Sequence, residues 1–376
     1  MAGIYLHIPF CKQACHYCNF HFSTSLQRKS EMVDSVLKEL VLQKDYLQGE
    51  TIETIYFGGG TPSLLSPKEL NLIFEKINQH YILGNDIEIT LEANPDDLTA
   101  QKLATLASSP VNRLSIGIQS FFEKDLKFMN RAHNAEEAKV CVQNAKNAGF
   151  DNLTVDLIYG SPTTSMANWR TNLQTVFDLK ISHISCYCLT VEPKTALDHF
   201  VKTGKAEPVD EEQAAQQFDI LVDEMEKHGY DHYEISNFAF PDCYSKHNSS
   251  YWLGEKYLGI GPSAHSFNGI SRQWNVANNA KYMTALAEGN LSFEKETLTP
   301  TQQYDEYVMT SLRTIWGCEL QRLAGFDKKF ESYFLKNVRP FLKDEVVFEK
   351  NGFYFLTKKG KLLADKISME LFFEEN

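Results

Sequence analysis

The sequence predicts an α/β fold: a parallel sheet curled into a partial (β/α)6 TIM-type barrel, followed by a smaller α+β module. Three observations carry that expectation. Short runs rich in Ile, Val and Leu alternate with amphipathic stretches between residues 3 and about 228, the rhythm of parallel strands joined by right-handed helical crossovers. Within the runs apolar residues occupy every second position, so each strand has one apolar face and one polar or small face. Past residue 229 the rhythm breaks, and an Asn-Gly pair near the end marks a tight hairpin. At 376 residues, 43% of them hydrophobic, the chain can build one large core and a second small one.

The strands fall at 3–8, 52–57, 87–92, 113–118, 153–158 and 183–189. Between them, Val33, Val36, Leu37, Leu40 and Val41 share a helical face, as do Leu70, Ile73, Phe74 and Ile77. Ser66-Pro67-Lys68-Glu69 is a capping box with proline at the first helical position. Phe218, Leu221, Val222 and Met225 mark the sixth helix, which Gly229 ends.

The strand faces are informative. Ile87, Ile89 and Leu91 oppose Glu88, Thr90 and Glu92; Leu114, Ile116 and Ile118 oppose Ser115, Gly117 and Gln119; Leu153, Val155 and Leu157 oppose Thr154 and Asp156. A closed eight-stranded barrel fills its centre with branched apolar side chains. Here the apolar faces must meet the helices, which leaves an inner surface fit for a polar ligand. This barrel occupies residues 1–230. Residues 231–298 read as a connecting region, rich in Tyr, Asn, Ser and Gly up to 275 and helical at 278–288. Residues 299–376 read as a winged-helix-like accessory domain, with a helix at 301–315, a hairpin through Lys350-Asn351-Gly352 and a helical stretch at 357–366.

A net charge of −12 argues against nucleic acid as a partner, for the terminal module as well. Eight cysteines in so long a chain do not form a disulfide scaffold. There is no basic-then-apolar leader and no run long enough to span a membrane. The expectation is a cytoplasmic protein, monomer or homodimer.

Ligands of parallel sheets gather where the strands end. The first strand runs into Cys11, Cys15 and Cys18, and the second into Gly58-Gly59-Gly60-Thr61-Pro62. The third ends at Glu92 before Asn94-Pro95, the fourth at Gln119-Ser120, the fifth carries Asp156, and the sixth ends near Thr190 and Glu192. Three thiolates on one loop fit three irons of a cuboidal cluster, leaving the fourth iron open. With His21 the same cysteines would also make a Cys3His zinc shell, the basis of an alternative reading as a zinc-bound interaction protein. Structural zinc ligands usually come as two separated pairs, and these crowd one loop.

The Cys-x-x-x-Cys-x-x-Cys loop, the Gly-Gly-Gly-Thr-Pro run and the strand–helix units resemble the radical S-adenosylmethionine superfamily. The resemblance implies a [4Fe–4S] cluster on Cys11, Cys15 and Cys18. Its open iron is chelated by the methionine part of S-adenosylmethionine, and an electron cleaves the sulfonium to a 5′-deoxyadenosyl radical. Carbonyls of Gly59 and Gly60, and Glu92, suit the ligand's ammonium; Arg131 suits its carboxylate. Asp156 and Gln119 suit ribose hydroxyls, and Tyr17 an adenine face. His7-Ile8-Pro9-Phe10-Cys11 and Asp156-Leu157-Ile158-Tyr159-Gly160 narrow the resemblance to the coproporphyrinogen III oxidase-like branch, where Tyr5 and Thr61 join the S-adenosylmethionine positions.

Two features then point to the haem-chaperone family of that branch. Phe20 stands where the oxidases carry a further cysteine, and His247-Asn248-Ser249-Ser250-Tyr251-Trp252 matches the family's His-Asn-x-x-Tyr-Trp. The family implies binding of haem, transfer to an acceptor such as a respiratory cytochrome protein, an electron donor, and no coproporphyrinogen oxidase activity. Cleavage of S-adenosylmethionine stays open. The oxidase reaction, radical decarboxylation of propionates, is the alternative. Histidine commonly ligates haem iron, so His247, flanked by Tyr251 and Trp252, is the expected haem ligand, with His265 and Cys243 as rivals. Cys141, Cys186, Cys188 and Cys318 read as packing residues.

Overall fold

The computed structural model describes residues 2–375. The anticipated parallel strands are β1 (Ala2–Ile8), β2 (Ile52–Gly59), β3 (Leu83–Ala93), β4 (Arg113–Gln119), β5 (Leu153–Tyr159) and β6 (His183–Cys188). Each pairs in parallel with the next. The returning helices are α1 (Lys29–Leu42), α2 (Pro67–His80), α3 (Ala100–Ala107), α4 (Glu123–Phe128), α5 (Ala135–Asn147), α6 (Met166–Asp178), α7 (Ala196–Lys202) and α8 (Glu211–Lys227). The capping box at Ser66 and Glu69 forms as read. Ile89, Leu91, Leu114, Ile116, Ile118, Leu153, Val155 and Leu157 bury against the helices in the main core, so polar side chains are left to line the inside.

Residues 231–298 extend this sheet at both edges. β7 (Asp231–Glu234) and β8 (Asn237–Ala239) lie antiparallel beyond β6. After α9 (Lys246–Leu253), β9 (Lys256–Ile260) pairs in parallel with β1. β10 (His265–Phe267), β11 (Ser271–Asn275) and β12 (Phe293–Thr297) follow antiparallel, with α10 (Asn279–Ala287) between the last two. Among the described residues the sheet has twelve strands ending at β12 and β7, so the barrel stays open. The pairing of β9 satisfies the backbone of what would otherwise be the bare edge of β1.

The helix α9 closes the end of the barrel where the strands begin. Glu88 accepts the backbone N–H groups of Lys246 and His247 at 3.1 and 3.0 Å, a carboxylate at the positive end of the helix. Arg113, only 1% exposed, stands 3.7 Å from Glu88 and donates to Asn152 and Thr154. A buried charge survives only with such partners.

The last segment builds its own core. It comprises α11 (Pro300–Leu312), β13 (Cys318–Glu319), α12 (Leu320–Phe326), α13 (Lys328–Asn337), α14 (Arg339–Lys343), β14 (Val347–Lys350), β15 (Phe353–Leu356), α15 (Lys358–Lys361) and α16 (Ala364–Glu370). Tyr304, Val308, Phe330, Phe334 and Tyr354 pack together there, apart from the barrel core. The hairpin turns at Asn351 and Gly352, both left-handed at φ 58° and 82°, the backbone a two-residue turn demands. The helix read over 357–366 is interrupted at Leu362-Leu363 and becomes α15 and α16.

Candidate functional site

The loop after β1 is pinned from several sides. Cys11 N–H donates to the Ser23 carbonyl at 3.0 Å, and His16 N–H to that of Met129 at 3.1 Å. Gln13 donates to the carbonyl and side-chain oxygens of Asn130, whose amide donates to the Ala14 carbonyl at 2.7 Å. Lys12 pairs with Asp96 at 2.9 Å and with Asp97. Cys11, Cys15 and Cys18 are free thiols, half-buried on this loop. Burial pushes the Cys11 thiol up to about 11 and raises that of Cys18. Such sulfurs become thiolates when a cation displaces their protons.

The glycine run lies directly against this loop. Gly60 N–H donates to the Ile8 carbonyl at 2.9 Å and Thr61 N–H to that of Phe10 at 2.6 Å. A Cβ on Gly60 would stand 2.6 Å from the Phe10 oxygen. Gly59 has φ +99°, and a Cβ there would meet the His7 ring at 2.5 Å. Only glycine allows the two backbones to come this close.

Facing the cysteines are a half-buried cation and two half-buried acids. Arg131 Nη1 reaches Cys15 Sγ at 3.2 Å, while Nη2 donates to Asn94 Oδ1 at 2.6 Å and the Gly117 carbonyl at 2.7 Å. Its Nε has no hydrogen-bond partner among the described residues. Glu92 accepts from the Tyr56 hydroxyl at 2.8 Å, and burial raises its carboxyl to about 7. Burial likewise raises Asp156 to about 6, against the opposing pull of the Ser185 hydroxyl, Arg113 and Arg131. Tyr17 packs at the edge of a small cluster of Met129, Ile158, Leu189 and Leu197. Gln119 ends β4 in a left-handed conformation, φ 70°.

These groups converge on one cavity of about 1340 Å³. It is lined by Cys11, Cys15, Cys18, Tyr17, Gly59, Gly60, Thr61, Glu92, Gln119, Arg131 and Asp156, and also by Thr190 and Glu192. Tyr5 does not line it; its hydroxyl is 3.2 Å from His7 Nδ1, and its ring lies beside the stacked Tyr56–His247 pair, 6.2 and 6.4 Å from their centroids. Among the described residues no three His, Cys, Asp or Glu side chains converge on a single metal position. A cuboidal cluster asks instead for one iron per sulfur. His21 directs Nε2 to Asn279 Oδ1 at 2.7 Å.

The second motif lies elsewhere. His247 is 1% exposed, with Nδ1 2.8 Å from Thr54 Oγ1 and Nε2 2.9 Å from Tyr251 Oη. Neither it nor Tyr251 nor Trp252 lines the cavity. Both nitrogens of the ring expected to ligate haem iron are engaged in the barrel floor, and burial pushes it down to about 3, keeping it neutral. Sequence reasoning missed Tyr56, although Thr54, Tyr56 and Gly58 alternate onto the inner face like the residues of β3. It also missed the far wall of the cavity, where Arg313, Lys361, Leu362 and Leu363 come from the terminal module. No local pattern marks those residues.

Known proteins resemble this chain along most of its length. The family model of the radical SAM superfamily matches residues 5–175. The heme chaperone HemW of Bacillus subtilis (strain 168) is 32% identical over 98% of this chain and 98% of its own length. HemW of Escherichia coli (strain K12) is 30% identical over 99% and 98%. The radical S-adenosyl methionine domain-containing protein 1, mitochondrial, of Bos taurus is 35% identical over 96% and 83%. Among solved structures, coproporphyrinogen III oxidase (HemN) from Escherichia coli superposes with a TM-score of 0.86 over 99% of this chain and 90% of its own, at 24% identity. That last likeness concerns the fold.

Proposed function

The chain belongs to the radical S-adenosylmethionine superfamily and, within it, to the HemW family, and from that premise we propose that it is a haem chaperone. In this reading residues 1–230 hold a [4Fe–4S] cluster on Cys11, Cys15 and Cys18 together with S-adenosylmethionine. Residues 231–298 brace the barrel, and residues 299–376 form the accessory domain. The cargo is haem, received in the cytoplasm and passed to an acceptor such as a respiratory cytochrome protein, with a separate electron donor. The chain acts as a monomer or homodimer.

The observation that carries the cofactor half is the convergence of three half-buried thiols, Glu92 and Arg131 on one cavity. When bound, the cluster would be held by Cys11, Cys15 and Cys18 and would supply one-electron chemistry and an open iron. The chain's own groups then orient S-adenosylmethionine. Arg131, held by Asn94 and Gly117, presents its fork to the carboxylate. Glu92, whose carboxyl burial raises to about 7, accepts from the ligand's amino group. Gly59 and Gly60 leave their carbonyls open, Asp156 and Gln119 serve the ribose, and Tyr17 covers the base. Phe20, 67% exposed on the cavity rim, supplies no sulfur where the oxidases have one.

The test is anaerobic reconstitution with iron and sulfide, then titration with haem and a coproporphyrinogen assay on the same sample. About four irons per chain and tight haem binding without decarboxylation support the chaperone. Efficient decarboxylation without haem affinity selects the oxidase reaction. A colourless zinc protein selects the interaction module and removes the cluster.

A further inference from the structure

The cavity is larger than one ligand needs. Pockets for a single small molecule run to roughly 300–1000 Å³, and this one reaches about 1340 Å³. The groups suited to S-adenosylmethionine all lie at the strand ends. The opposite wall is different in character. At the break between α15 and α16, Leu362 and Leu363 are 42% and 43% exposed although they adjoin a well-packed core. Adjacent exposed leucines on a cavity wall mark a surface awaiting an apolar partner.

Two cations flank them with unfinished partnerships. Lys361, at the end of α15, is held to β7 by one hydrogen bond, from Nζ to the His232 carbonyl at 3.2 Å. The charge acting on it is Glu234, which is occupied by Ser236 N–H and the Asn237 amide. Burial lowers the Lys361 ammonium to about 8, so an arriving anion would be welcome. Arg313 pairs through Nη1 with Asp365 and lies 5.6 Å over the Trp252 ring. Its Nε is buried with no hydrogen-bond partner among the described residues.

We propose that this wall is the seat of the porphyrin: Lys361 and Arg313 receive the two propionates, and Leu362 and Leu363 meet the ring. The assignment rests on the haem-chaperone reading above and adds to it a binding site. A macrocycle with two carboxylates along one edge and an apolar face matches two cations beside two exposed leucines. Trp252 gains a role through Arg313, which it steadies without touching the ligand.

The experiment uses the full chain, reconstituted anaerobically, titrated with haem and with haem dimethyl ester, whose propionates carry no charge. Wild type is expected to prefer haem to the ester by about tenfold or more, the scale of one charge-assisted hydrogen bond. Lys361→Met is expected to weaken haem binding by about the same factor and to leave ester binding unchanged, with iron content and melting temperature matched to wild type. Equal haem affinity in Lys361→Met and wild type overturns the site while leaving the chaperone reading standing. So does a wild type that binds ester as tightly as haem, a result independent of how the variant folds. A wild type carrying its full iron and sulfide that binds no haem overturns the chaperone reading and the site together.

Discussion

The imidazole of His247 stacks on the ring of Tyr56, centroids 4.9 Å apart and planes 23° from parallel, at the closed end of the barrel. Tyr56 in turn donates its hydroxyl to Glu92 in the cavity. The His-Asn-x-x-Tyr-Trp segment therefore supports the site from beneath. His247 reaches the ligand groups through one aromatic layer and faces none of them.

Removing that support is expected to loosen the floor and spare the cargo. His247→Ala leaves a cavity and strips Thr54 and Tyr251 of a partner, at a cost of about 2–4 kcal/mol. Thermal melts should show the loss, and the haem absorption spectrum of the folded protein should not change. A lost or shifted haem spectrum would support His247 as an iron ligand.

Binding of S-adenosylmethionine should depend on pH through Glu92. Burial raises this carboxyl to about 7, so below that pH it is protonated and is a poorer acceptor for the ligand's amino group. Affinity should fall as pH is lowered from 7.5 to 6, approaching tenfold per unit at the acid end. The ligand's own amino group also titrates just above that window, equally for variant and wild type, so the share of Glu92 is the difference between their slopes. Glu92→Gln should bind more weakly at pH 7.5 and lose part of the slope. Calorimetry on the reconstituted protein measures both; a flat wild-type profile would remove Glu92 from the role.

Gly60→Ala should disturb the cysteine loop. The added methyl would press on the Phe10 and Ile8 carbonyls, at 2.6 and 2.7 Å, and both belong to backbone that cannot swing away. A destabilisation of about 1–3 kcal/mol is expected, with less iron taken up per chain on reconstitution. Normal iron content would show that the two loops are not coupled.

Alanine at Cys11, Cys15 or Cys18 should each abolish the iron–sulfide absorbance. Cys186→Ala should keep it, because that sulfur is buried in β6 at 2% exposure among core side chains. Retained absorbance in any of the first three would break the ligand set.

Much of the fold could be read directly. The alternation in β3, β4 and β5 gave their faces because a strand's period of two is local. The hairpin followed from Asn351-Gly352 because a φ above zero is a property of the residues themselves. The strands in 231–275 were harder to see: they are short, and what holds β9 in place is the edge of β1, more than 250 residues away. Tyr5 shows the same limit within the site, since its alternation puts it inside the barrel but not at which depth.

Spacing along the chain determined the cysteine loop, the glycine run and the strand-end acids, since each is set by neighbours a few residues apart. Tertiary structure decided what closes the barrel and what faces the cysteines across the cavity. His247 meets Thr54 over 193 residues of chain, and Lys361 joins the same cavity as Cys11. Contacts of that separation come from packing whole elements together, and no local pattern of residue types encodes them.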